Sequence, residues 1–522
     1  MTLNVNYADE DYINPPDIGT QGDGIVNFFN RMPVSVPLST YRDHALDPVT
    51  GGEWKTNGFL GTINNPYVPI QTGKNHHEDR NRLLGTATIR YDITDWLFAQ
   101  GRFNYDHYTN FIEDNSTNST GAAVRTNSDG TYRGSYNLNN TWSTDINADF
   151  LIGGSKDFGK FSVDATIGGN TLRSQWSQMS ESASNFTVAD LYTITNGTVK
   201  NANPLGFSRS RTNSLYGTAE LGWNRLLYLN FTGRNDWFSV LDPAHNSKFY
   251  PSVSGSFIFS ELLKNVSWLS YGKLRASWAQ VGSIAGVGPF DGVLTYGINA
   301  NLFNGQTLAS ISGGNAPNPL LQPFTVTEKE IGLELRMFRN RLLLDIAGFD
   351  KVTTDQILDV QLSSTSGYTA SKQNQASLKN SGLETLAEYK VIQNQNFSWT
   401  TSWNNTYLKT KVLDVGTPSG TRLLLYFNGT GNEFLGEIRY TEGLAMNQLY
   451  TKHIKTNAKG EVVVGANGRL IEDKTSGPIG TGFYPVGSSI PKFTGGLNNT
   501  FTYKNLSLGI FIDYKFGGTV LS

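Results

Sequence analysis

Charged side chains recur at every second position of otherwise apolar segments in this chain. Arg90, Arg102, Asp145, Asp149, Glu220, Arg234, Asp236, Arg275, Glu334, Arg336, Glu384 and Glu388 form the set, with Lys273 and Lys390 in the same phase. Residues two apart on an extended chain share a face. The set therefore describes a surface of guanidinium, ammonium and carboxylate groups. Such a surface can meet a polar cargo, or it can pair internally and face water. Arg234 and Asp236 carry both readings: a rim pair that touches substrate, or an ion pair that anchors the loop after them. The second asks less of the sequence.

Other chemistry is poorly supplied. The chain has no cysteine, which excludes disulfides, thiolate catalysis and zinc–thiolate sites. It has neither a Gly-x-Ser-x-Gly elbow nor an HExxH motif. Carboxylates on neighbouring strands are what any polar lining supplies, so they do not indicate a glycosidase. The chain reads as a non-enzyme. His76 and His77 are adjacent, would point to opposite faces, and read as a solvated loop. Residues 412–490 do not reproduce an EF-hand, so calcium in that loop is left open without support, and no metal site or cofactor is assigned. Ser128-Asp129-Gly130 and Asn457-Ala458-Lys459-Gly460 are turn chemistry. A net charge of −2 offers nothing to nucleic acid.

The elements that carry these charges are strands. Phe161, Val163, Ala165 and Ile167 alternate with Ser162, Asp164 and Thr166. Leu215, Gly217, Ala219, Leu221 and Trp223 share one face, Asn224-Arg225 turns the chain, and Leu227, Leu229 and Phe231 follow. The same alternation predicts about fourteen strands, at 83–91, 96–108, 137–152, 161–176, 212–223, 226–235, 250–260, 269–281, 328–338, 341–353, 383–391, 396–411, 491–503 and 506–516. Short connections fall at 92–95, 153–160, 224–225, 261–268, 339–340, 392–395 and 504–505. Long ones fall at 109–136, 177–211, 236–249, 282–327, 354–382 and 412–490.

Short, long, short, long is the rhythm of a barrel crossing a bacterial outer membrane, with tight periplasmic turns and large extracellular loops. No apolar run approaches the roughly 20 residues of a spanning helix. Charged residues are 16% of the chain and aromatics 12%. Aromatics fall near strand ends, at Trp96, Trp223, Trp237, Tyr250, Trp268, Trp278, Phe338, Phe397, Trp399, Tyr503 and Tyr514. An interfacial girdle explains them, as does ordinary sheet packing. The fold class is thus all-β: an antiparallel transmembrane β-barrel portion. Residues 1–82 read as an extracellular loop region with the possible end of a preceding strand, 83–516 as the barrel, and 517–522 as the start of a further loop. Met1 to Asn6 lacks the basic and apolar regions of a signal peptide, so the chain reads either as soluble or as a piece of a longer precursor. With seven hairpins whose turns are periplasmic, both chain ends are expected outside. Open edges are not tolerated in lipid, so a larger barrel is expected.

Residues as well as rhythm are then recognisable. Gly233-Arg234-Asn235-Asp236-Trp237, Phe249-Tyr250-Pro251-Ser252-Val253-Ser254 and Phe259-Ser260-Glu261 resemble the barrel signature of SusC/RagA-family TonB-linked outer-membrane transporters. Glu78-Asp79-Arg80-Asn81-Arg82, Lys273 to Trp278, Glu330-Ile331-Gly332-Leu333-Glu334, Asp350-Lys351, Thr354-Asp355-Gln356-Ile357, Asn380 to Glu384 and Pro491 to Asn499 follow in the family's order. The resemblance implies a barrel of about 22 strands with a luminal plug. It also implies a SusD-like surface lipoprotein as a lid, energy from the TonB system through an N-terminal part not found here, and import of glycans or oligopeptides. The charged set would then line the lumen, facing substrate or the plug. Loops 177–211, 282–327 and 412–490 would meet lid and cargo. The alternative is an outer-membrane barrel that binds glycans or serves structure without transport.

Overall fold

An extended segment satisfies its backbone N–H and C=O groups only by pairing with neighbours. A sheet of alternating segments then has one apolar and one polar face. The computed structural model of the chain follows that rule. It describes all residues except 14–27, 30–31, 50–51, 55, 59–60, 64, 66, 69–74, 118–125, 312–313, 427–435, 474–481 and 521–522.

The strands in chain order are β1 (Thr2–Ile13), β2 (Thr56–Gly58), β3 (Gly61–Ile63), β4 (Asn75–Asp92), β5 (Leu97–Thr117), β6 (Tyr132–Phe158), β7 (Phe161–Phe186) and β8 (Gly197–Trp223). Next come β9 (Leu227–Phe238), β10 (Ser247–Phe257), β11 (Leu269–Ser283), β12 (Tyr296–Phe303), β13 (Gln306–Ile311), β14 (Asn315–Ala316), β15 (Phe324–Met337) and β16 (Leu342–Gln361). The last are β17 (Ala370–Gln393), β18 (Phe397–Asp414), β19 (Thr421–Tyr426), β20 (Glu437–Thr441), β21 (Gln448–Lys452), β22 (Phe483–Ser488), β23 (Phe493–Tyr503) and β24 (Leu506–Phe516).

One wall runs β1-β4-β5-β6-β7-β8-β9-β10-β11-β15-β16-β17-β18-β23-β24, antiparallel throughout, and β14 adds in parallel to β17. All fourteen expected strands lie on this path. β1 is a further one, paired along its length with β4 from Thr2↔Thr88 to Ile13↔His77. Residues 1–82 therefore hold a full wall strand, the start of β4 from Asn75, and the antiparallel pair β2–β3. β1 also changes the parity. Its first residues lie beside the short-turn end of β4, whereas β24 finishes at the long-connection end. The expectation that both ends lie outside is thus corrected.

The long connections are shorter than expected because the strands run on. β5 continues to Thr117, β7 to Phe186 and β16 to Gln361, while β8 begins at Gly197. Residues 412–490 contain a four-stranded antiparallel sheet, β19 to β22. Short turns stay short. Asn224 and Arg225 both take positive φ (53° and 57°), and Leu226 N–H donates to Trp223 O at 2.9 Å, the hairpin geometry that matches strand twist.

Paired residues point to the same side, so register carries each face across the wall. One face is apolar and open: Ile89, Phe150, Ile167, Leu215 and Ile331 are each more than half exposed. An apolar surface of that extent is the lipid-facing band of a membrane barrel. Trp223, Trp237 and Trp278 lie on this face. Tyr250 does not: it is buried, opposite Arg234 on the other face, and is no part of a girdle. At the long-connection end, Phe238, Val240, Leu241, Leu321 and Ile357 form a small core, and Leu378, Val412 and Val415 form another with Tyr440 and Met446.

Candidate functional site

The second face of the wall gathers the charges. Arg102 lies opposite Asp149, Asp149 opposite Asn170, Asn170 opposite Ser214, and Ser214 opposite Asp236. Further along, Ser256 faces Arg275, Arg275 faces Gly332, Gly332 faces Ala347, and Ala347 faces Glu384. Counting by twos from these positions places all twelve members of the charged set on this one face.

Within it they form two clusters. In the first, Lys273 Nζ lies 2.7 Å from Glu334 Oε2, and Arg336 Nη2 lies 3.1 Å from Glu334 Oε1. Arg275 donates from Nε to Glu330 Oε1 (3.2 Å) and from Nη1 to Asp345 Oδ1 (2.8 Å). Three cations meet three carboxylates, so the cluster is neutral within itself. Glu334 is buried between its two partners. Sequence reasoning passed over Glu330 and Asp345. Both stand in the lining phase of their strands, which was the signal available. A cleft of about 220 Å³ opens beside the cluster, bordered by Glu220, Tyr228, Asn230, Ser254, Lys273 and Arg275. Glu220 Oε2 accepts from Asn230 Nδ2 at 3.5 Å there.

In the second cluster Arg234 donates from Nε to Asp236 Oδ1 (2.7 Å) and from Nη2 to Ser214 Oγ (2.6 Å). Asp236 is buried. Tyr216 Oη donates to Asp149 Oδ2 at 2.6 Å. Arg234 and Asp236 thus tie β9 to β8 just below the connection that follows. Arg90 stands apart near the short-turn end, 2.9 Å from Asp92 and stacked 3.6 Å over the Phe98 ring. Asp145, Glu384 and Glu388 share the face outside these clusters.

The connection 284–323, shorter than the expected 282–327, is fastened to the wall. Lys372 Nζ donates to Asp291 Oδ2 (2.7 Å) and Gly286 O (2.5 Å), and Asn374 Nδ2 donates to Gln322 O (2.7 Å). Leu321 enters the core with Phe238 and Ile357. Between this loop and β17 lies a cavity of about 430 Å³ lined by Asp291, Thr295, Asn315 and Lys372. The sheet β19–β22 is docked by the Arg422 guanidinium on the Asp359 carbonyl. Burial holds Arg422 below the usual guanidinium range.

The histidines differ from expectation. They lie on β4, not in a loop, because β4 begins at Asn75. His76 Nδ1 is 2.6 Å from Asp114 Oδ1, and His77 Nε2 is 2.9 Å from Asp11 Oδ1. Among the described residues no three potential ligands gather for a metal. Asp129 and Asn457 are the turn residues expected. The Asp129 carboxylate accepts from Thr131 N and Oγ1, which lowers its pKa, and Asn457 Oδ1 accepts from Lys459 N and Glu461 N.

Known proteins resemble this chain in sequence or in fold. The TonB-dependent receptor P26 of Formosa agariphila is 25% identical over 540 residues, covering 99% of this chain and 51% of that protein. SusC of Bacteroides thetaiotaomicron is 30% identical over 190 residues, covering 35% of this chain and 19% of that protein. The RagAB peptide importer in its open-open state superposes with a TM-score of 0.74 at 18% identity, over 98% of this chain and 55% of that one. The chain spans about half the length of the curated relative it matches end to end. Residues 7–519 match the family described as TonB dependent receptor-like, beta-barrel. The lipid-facing band, the polar inner face and these matches together make it an outer-membrane β-barrel, and the chain belongs to the TonB-dependent receptor β-barrel family.

Proposed function

We propose that this chain forms part of the wall of an active importer of oligomeric nutrients, glycans or oligopeptides. It would work with a SusD-like surface lipoprotein as lid and draw energy from the TonB system through another part of the protein. The observation that carries this reading is the single charged face running from β4 to β17, set against an apolar face on the same strands. A wall of that kind separates lipid from a wide polar passage. The fold likeness to the RagAB peptide importer supports it, as does the sequence likeness to SusC. In this reading Arg102, Asp149, Glu220, Arg275 and Glu384 border the passage, and the cleft beside Arg275 is where polar cargo groups meet it. Arg234 and Asp236 hold the rim. The segments 284–323 and 412–490 offer the upper contacts.

The test is purification of the full-length protein from outer membranes, with mass spectrometry of what accompanies it, followed by uptake of labelled oligosaccharides and oligopeptides in cells with and without the gene. A co-purifying lipoprotein and uptake lost with the gene support import. Cargo binding with unchanged uptake would favour a barrel that binds without transporting.

A further inference from the structure

The lipid-facing side ends abruptly on four neighbouring strands. Upward from the short turns, β15 presents Met337, Leu335, Leu333 and Ile331, and β16 presents Leu342, Leu344, Ile346 and Gly348. β17 presents Tyr389, Ala387, Thr385 and Leu383, ending beside Tyr407 of β18. The next register row is Lys329, Asp350, Ser381 and Lys409, and the one above it contains Lys379 and Lys411. From Met337 to Lys329 the strand rises about 26 Å. Tilted, that is close to the roughly 25 Å apolar band of a barrel. The lysines therefore sit at its outer border.

Their charge is largely unmatched. Lys379 pairs with Asp350 at 2.7 Å. Among the described residues, Lys329, Lys409 and Lys411 form no ion pair, and Lys329 and Lys409 are exposed. Glu328 and Glu330, the nearest acids in sequence, point to the opposite face toward Lys351 and Arg275. The same face toward the same end carries Asp9, Asp11 and Asp79 on the β1 and β4 side, and Arg173, Arg209 and Arg211 on β7 and β8.

Directly below the lysines lies a groove of about 580 Å³, walled by Ile331, Leu383 and Tyr407, with Lys329, Asp350, Ser381 and Lys409 at its upper end and the Asp350 carboxylate engaged by Lys379. Gly348 forms part of its floor. A Cβ there would meet only Gly382 O at 3.9 Å, so the missing side chain leaves space. An apolar slot on the lipid side, capped by free ammonium groups at headgroup level, matches an acyl chain joined to a phosphate.

We propose that β15 to β18 bind one phosphorylated lipid of the outer leaflet, its acyl chain in this groove and its phosphate on Lys329, Lys409 and Lys411. The site depends on the membrane placement of the wall and not on what the passage carries. The experiment uses the full-length receptor in phosphatidylcholine nanodiscs doped with bisphosphorylated lipid A, with retained lipid counted by native mass spectrometry. The triple variant Lys329→Gln, Lys409→Gln, Lys411→Gln is expected to retain about a hundredfold less, the factor that losing three membrane-surface lysines corresponds to. The corresponding Lys→Arg triple should retain lipid like the parent, and Gly348→Phe should displace it by filling the groove. Parent-level retention by the Lys→Gln triple, or equal retention of dephosphorylated lipid A, would overturn the proposal. Parent-level retention by Gly348→Phe would overturn the groove.

Discussion

Arg275 on β11 reaches Asp345 on β16 at 2.8 Å, passing over β15 where Gly332 stands directly opposite it. A Cβ on residue 332 would lie 2.5 Å from the guanidinium. The glycine thus leaves room for a contact that skips a strand. Gly332→Leu is expected to push Arg275 aside and leave Glu330 and Asp345 without their shared cation. The expected loss is about 1–3 kcal/mol, read by urea titration of the full-length receptor folded into vesicles. Stability equal to the parent would show that the bridge contributes nothing.

Glu334 and Glu384 share a face but differ in partners. Glu334 is buried between Lys273 and Arg336. Glu334→Gln should cost about 1.5–3 kcal/mol in the same titration, and Glu384→Gln should stay within about 0.5 kcal/mol. If Glu384→Gln instead lowers uptake at unchanged stability, Glu384 meets cargo.

Arg234 makes two different hydrogen bonds, to Asp236 and Ser214. A lysine has no fork and cannot hold both in that geometry. Arg234→Lys should raise amide hydrogen exchange in β8 and β9 near residues 212–214 and 236–238 while leaving β23–β24 unchanged. Unaltered exchange there would remove the anchoring role.

Loop 284–323 hangs on Lys372. Lys372→Gln should free Asp291 and Gly286 and speed limited proteolysis between residues 286 and 320 several-fold, with Asp291→Asn giving part of the effect. An unchanged cleavage rate would mean that the apolar core around Leu321 holds the loop alone.

Depth along the lipid-facing side is also testable. Leu344 lies within the apolar band and Ser381 in the lysine row. Leu344→Arg should cost about 2–4 kcal/mol and Ser381→Arg about 0–1 kcal/mol, measured as vesicle folding equilibria. Equal costs would place the band elsewhere.

Much of the wall was readable from alternation, because an apolar face on one side and a polar face on the other impose a period of two. Where that contrast ends, the signal ends. β7 continues from Ser177 to Phe186, where buried Ser177, Ala183 and Phe186 stand among exposed Met179 and Glu181, so no period of two marks it while its hydrogen-bond ladder persists. β1 was hidden similarly: Leu3, Val5 and Tyr7 alternate, but Asp9 and Asp11 follow in the apolar phase. β19 to β22 are only five or six residues each, too short to declare a period. For the candidate site, the face was legible and the partners were not. That Arg275 meets Asp345 depends on register between strands 70 residues apart, which no local pattern encodes.

The lengths of three adjacent strands have a mechanical meaning. β6, β7 and β8 contain 27, 26 and 27 residues, while crossing the hydrocarbon takes about 9–11. At about 3.3 Å per residue, this sector stands several tens of ångströms proud of the bilayer as a hydrogen-bonded palisade. Anything that settles on its crest around residues 186–197 rests on a stiff post rather than on a supple loop.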